Sequence, residues 1–149
     1  MKMIKKIFGL MTLTGVLMLI MTISTVSASA QSLRDGEYNY IGKISPNGTV
    51  RDAAYNAIGF FNADGTVADK NGTVRGRVNR DLNIYDTGDT RIGYINVDGT
   101  VRDGESNVLG KIDRNSGKVT DADGNTIGYA HGVSMLWIAA YYFFDFFDK

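Results

Sequence analysis

From residue 33 to residue 130 the apolar positions come in short runs of about five, separated by polar turns that recur every eight or nine residues. That rhythm predicts β-strands and disfavours helix, which needs apolar positions three and four apart over longer segments. An aliphatic-Gly pair marks one position in each cycle. Its glycines are Gly42, Gly59, Gly76, Gly93, Gly110 and Gly128, at spacings of 17, 17, 17, 17 and 18. A period that regular defines a repeat protein built from one supersecondary unit. Each unit carries two apolar runs, around Ile44, Val78, Ile95 or Ile112 in the first and around Val50, Val67, Ile84, Val101 or Val119 in the second. Between them Asn47-Gly48, Asp64-Gly65 or Asp98-Gly99 supplies the positive φ of a tight hairpin turn. An Asp at 52, 69, 86, 103 and 121 then opens a second turn.

Glycine inside a strand weakens it unless something uses it. Ile41 and Ile44 are three apart and face opposite sides of a regular strand. Either a bulge at Gly42 turns both to one core, or the bare backbone lets a neighbour approach closely. The ends bear on closure. Residues 32–42 match the second half of a unit and residues 127–132 supply a first half, so the two ends complement each other. Pairing them would remove the exposed edges that an open array must cap. The expected fold is all-β: a closed, radial array of short β-hairpins of about 17 residues, with a C-terminal apolar helix packed on it.

Lys2, Lys5 and Lys6 precede an uncharged apolar run from Ile7 to Ile23 and a small-residue Ala28-Ser29-Ala30 end. This is the pattern of a secretory signal peptide cut after Ala30, with a retained anchor as the rival. The expected parts are a signal peptide at 1–30, a hairpin-repeat domain at 31–132 and an aromatic segment at 133–149 packed on it. The expected place is the periplasm, the cell envelope or the medium. Without the three leader lysines, 13 basic residues face 16 acidic ones, a net charge of about −3 that argues against a nucleic-acid partner. The chain has no Cys, so packing and strand pairing alone must hold it.

The ending "VSMLWIAAYYFFDFFDK" breaks the repeat. It is shorter than the roughly 20 residues that span a bilayer, yet too aromatic to stay in water. The expectation is one helix from Ser134 to Phe147 that completes the core. The alternative is a contact surface for a protein or envelope partner.

The units "IGYINVDGTVRD" and the ending "IGYAHGVSMLWIAAYYFFDFF" resemble the five-fold beta-flower proteins, small exported bacterial repeat proteins of Bacteroides type. The resemblance covers essentially all of residues 31–149. It implies a flower-like radial β arrangement and no established activity or catalytic residues. The third unit departs from the pattern, with Arg75 for Ile and Leu82-Asn83 for Gly-Thr.

The recurrent Asp residues would form a carboxylate ring, but an Asp at a strand end commonly accepts N–H groups of its own turn. "DADG" and "NADG" lack the remainder of a calcium loop, so no metal or cofactor is expected. His131, the single histidine, has no nucleophile-elbow motif beside it, and no enzyme activity is expected. Repeats provide surface, so the expected role is a binding or structural module of the envelope. Local function belongs where copies differ, at Arg75, Leu82 and Tyr85, with Trp137 as an aromatic contact in the tail.

Overall fold

A computed structural model describes residues 31–149; the leader and its cleavage site lie outside the described residues. Twelve strands follow in order: β1 (Ser32–Asp35), β2 (Tyr40–Ile44), β3 (Thr49–Asp52), β4 (Ala57–Phe61), β5 (Thr66–Asp69), β6 (Val74–Val78), β7 (Asn83–Tyr85), β8 (Arg91–Ile95), β9 (Thr100–Asp103), β10 (Val108–Ile112), β11 (Lys118–Asp121) and β12 (Thr126–Ala130). One helix, α1 (Met135–Phe143), comes last. Each strand pairs antiparallel with its chain neighbours, and β1 pairs with β12, so the sheet closes into a barrel. Five whole hairpin units and one split between the chain ends therefore make six. Leu33 opposite Ala130 and Arg34 opposite Tyr129 register that seam.

The glycine is both a bulge and a site of close approach. Val50 pairs with Gly59 while the next residue, Arg51, pairs with Ala57, so Ile58 is the extra residue. The same slip recurs at Ile41, Arg75, Ile92, Leu109 and Ile127. It lets both aliphatics of a unit turn inward: Ile44 is fully buried, and Ile41, Ile58, Ile92, Leu109 and Ile127 pack on the same core. Arg75 breaks the set and stays exposed.

Every strand sends a buried apolar residue into the lumen, among them Leu33, Val50, Val67, Ile84, Val101 and Val119, each at 0% exposure. Eight strands make a barrel that side chains can just fill; twelve leave a wider lumen. The C-terminal segment occupies it. Ala139 and Ala140 of α1 have no exposed surface, and Trp137 stacks on Phe61 with ring centroids 5.0 Å apart. Beyond them the rings settle on the bare glycines. A Cβ on Gly128 would fall on the Tyr142 ring, one on Gly110 on Phe143, and one on Gly93 on Phe144. Gly76 would meet Phe146 and Gly59 would meet Phe147. Tyr141 lies between the first and last of these rings, 5.0 Å from Tyr142 and 6.2 Å from Phe147, closing the circle on the side of Gly42. The tail thus takes the repeats one ring at a time, in reverse chain order.

This arrangement corrects the expected end of the helix. Helical residues turn by about 100° each, whereas six units around a ring stand about 60° apart, so the helix serves neighbouring units through Tyr142 and Phe143 and then falls out of step. The chain leaves the helix at Phe144, which is extended at φ −122°, ψ 145°, and Phe146 and Phe147 follow in irregular backbone. The rings that a partner-contacting tail would present are buried: Phe144 is 8% exposed, Phe146 5% and Phe147 2%. Tyr142 is a phenol where it touches the seam. Its hydroxyl donates to Arg34 O of β1 (2.7 Å) and lies 3.3 Å from Tyr129 O of β12. Burial pushes its ionisation up, and burial with the Asp52 charge raises Tyr141 to about 12. Lys149, exposed as a residue, tucks its ammonium onto Tyr141 O and the Tyr141 ring, supplying a cation at the helix C-terminus.

Both turn types place one residue in the left-handed region after a type I turn. At the first rim Gly48 has φ 90°, and its N–H donates to Ser45 O (2.9 Å). Leu82 holds that position in the degenerate copy at φ 64°, a conformation that favours glycine. At the other rim each recurrent Asp organises its own loop. Asp52 Oδ1 accepts the N–H groups of Ala54 and Asn56, both at 2.9 Å, and Asp103 Oδ1 does the same for Glu105 and Asn107. The carboxylates are spent on turns, as the strand-end reading expects.

Two outcomes are expected. Truncating Phe or Trp in a core costs about 3–5 kcal/mol each, and a whole domain has about 5–15 kcal/mol. Deleting residues 134–149 removes seven buried or half-buried aromatics and should yield an unfolded or aggregated chain by circular dichroism. A truncated monomer with intact stability contradicts the packing described. The second outcome concerns acid. Hydrogen bonds from Asn39 hold Asp35, and from Asn107 hold Asp103, below the ordinary 3.8. A lowered folded-state value adds stability that is complete above 3.8 and is lost as pH falls through the folded-state values. Thermal midpoints should decline as pH falls below about 4, and less steeply in Asp35→Asn/Asp103→Asn. An equally steep decline in that variant contradicts the assignment.

Candidate binding cleft

The rim where α1 begins is the asymmetric one. Two departures from the repeat meet there: Leu82 in the β6–β7 turn and the lengthened β10–β11 turn, residues 113–117. Between these turns and the start of α1 lies a cleft of about 650 Å³, within the range of small-molecule sites. Ile112, Ala130 and Ile138 form its floor, each at most 2% exposed, and Leu82, Met135 and Leu136 line its sides. Here the extra side chain of Leu82 gives a physical return for its left-handed backbone, because it packs against the core.

Charge at the mouth is mainly cationic. Arg80 and Arg114 line it from the two turns, with His131 between barrel and helix. Arg114 Nη2 donates weakly to Val97 O at 3.4 Å. Asp113, the one acid there, has Oδ1 occupied by the N–H groups of Asn115 (2.8 Å) and Ser116 (3.2 Å), which hold its carboxyl below the ordinary range. Ser134 caps α1: its Oγ accepts the Trp137 N–H, and its carbonyl takes the first helical bond from Ile138. The Met135 and Leu136 N–H groups have no partner within the helix and carry its positive end.

The residues singled out from the sequence stand apart. Arg75, the second residue of β6, lies toward the opposite rim, 3.8 Å from Asp69. Tyr85 lies on the outer wall beneath the Arg77 guanidinium, 4.3 Å from the ring centroid, and Arg77 also pairs with Asp89 at 2.7 Å. Trp137 is half-buried, stacked against Phe61. Of the positions where the copies differ, Leu82 is the one that lines the cleft, and His131 lines it too. Arg80, Arg114 and Leu136 carried no motif. Their signal was that Leu82 and the one-residue insertion fall in the same half of the unit, hence at the same rim.

The outer wall carries Lys43, Arg51, Arg102, Lys111 and Lys118 between rings such as Phe60, Tyr94 and Tyr129. Strands of three to five residues are about half the length that crosses a bilayer. Among the described residues no helix is long and apolar enough to cross a membrane.

No curated protein and no solved structure gives a match to the chain. A family model described as 5-fold beta-flower protein matches residues 30–147, which takes in all twelve strands, the helix and the aromatic segment. Five contiguous hairpin units, a sixth closed from the two ends and an aromatic plug are this chain's form of that family: it belongs to the 5-fold beta-flower proteins.

Proposed function

We propose that the protein is an exported, non-enzymatic binding module of the cell envelope, and that the rim cleft is where it binds. The observation that carries this reading is the convergence of the two irregular turns on one cleft in an otherwise regular barrel. A filled lumen leaves only the surface for interaction. The recurrent carboxylates are held by their own turns and Ser134 Oγ by the helix it caps, which supports binding over catalysis. Export rests on the leader, with its lysines, apolar run and Ala-Ser-Ala end.

Mass spectrometry of the protein recovered from its host should find Gln31 at the N-terminus, with the protein in the periplasmic, envelope or medium fraction. A cytosolic protein that begins at Met1 contradicts the export half of the proposal.

A further inference from the structure

Resting on that reading of the cleft, we propose that its ligand is a small amphipathic anion: an alkyl or acyl chain ending in a carboxylate. The chain lies on the apolar floor and the carboxylate meets Arg80, Arg114 and the start of α1. Three independent features select this chemistry. The floor is aliphatic, with Ile112, Ala130 and Ile138 buried beneath Leu82 and Leu136, so it favours a chain over a polyhydroxylated ligand. The mouth brings two guanidinium groups from separate turns, and the ion pairs found among the described residues involve neither. Guanidinium matches a carboxylate with two parallel N–H donors. Met135 and Leu136, whose N–H groups have no partner within the helix, line the same cleft. The local acid does not cancel this, because Asp113 is engaged by its own turn.

Leu82 stands where its counterparts are Gly48, Gly65 and Gly99. A Cβ at those three glycines would strike the backbone carbonyl of Phe61, Val78 or Ile112 on the next unit. The third unit accepts a side chain at this place, and the side chain becomes a wall of the cleft.

The test uses the protein purified from its host, with three probes of equal chain length: dodecanoate, dodecyltrimethylammonium and dodecyl glucoside. Titration calorimetry and the fluorescence of Trp137, the single tryptophan, report binding below each micelle concentration. Dodecanoate should bind once per chain, about tenfold or more tighter than the cationic and neutral probes. Arg80→Gln/Arg114→Gln should lose about tenfold or more in dodecanoate affinity at unchanged thermal midpoint, since a charge-assisted hydrogen bond contributes at least that factor. Arg80→Lys should retain part of it. Equal binding of the neutral probe, or an unaffected double variant, overturns the anion assignment and leaves an apolar binding cleft. If no probe gives heat or moves Trp137 emission, both the inference and the cleft's role in binding fall.

Discussion

A barrel of twelve short strands cannot fill itself, because the few inward side chains of each short strand leave the axis empty. Here the space is closed by rings resting on backbone. Each unit presents a glycine with no side chain toward the lumen, and Tyr142, Phe143, Phe144, Phe146 and Phe147 each cover one. The glycine and the ring are complementary halves of one contact. A larger residue would strike the ring, and a smaller one in place of the ring would leave a void. The bulge at the same glycine brings Ile41 and its equivalents onto this core. Lumen width, bulge and tail composition thus follow from one requirement.

Much of this was legible in the sequence. Strand positions follow from apolar runs, turns from Asn-Gly and Asp-Gly, and closure from the complementary half-units at 32–42 and 127–132. The aliphatic-Gly pair pointed to a bulge or a close approach, and both are present. The partner of that approach was hidden. The rings of residues 141–147 are interrupted only by Asp145 in sequence, and their match to glycines about 17 residues apart exists only once strand order around the barrel is known. For the same reason the sequence alone extends the helix to Phe147, although a helix stays in step with neighbouring units only as far as Phe143.

The two rims divide the work. At one, Asp35, Asp52, Asp103 and Asp121 repeat the same loop, and Asp69 and Asp86 follow it closely. Such uniform chemistry is structural. At the other, the helix enters, the chain ends of the barrel lie and the two irregular turns meet, so side chains can vary without disturbing the ladder. The site was only partly visible because it is made from irregularities. Leu82 showed as a departure from the repeat, but Arg80 and Arg114 sit in variable turn positions where a lone arginine is ordinary surface.

The ring-on-glycine contact is tested most directly by a double-mutant cycle between Gly93 and Phe144. A Cβ at Gly93 would meet Cζ and Cε1 of Phe144 and, at 2.8 Å, the Arg102 carbonyl. Gly93→Ala alone should cost about 1–3 kcal/mol by overpacking. Phe144→Leu removes the ring atoms in the way, so chemical denaturation of the double variant should show a loss smaller than the sum of the single losses by about 0.5 kcal/mol or more. Losses that add to within about 0.3 kcal/mol would mean that the glycine does not exist to seat the ring, and would contradict the account.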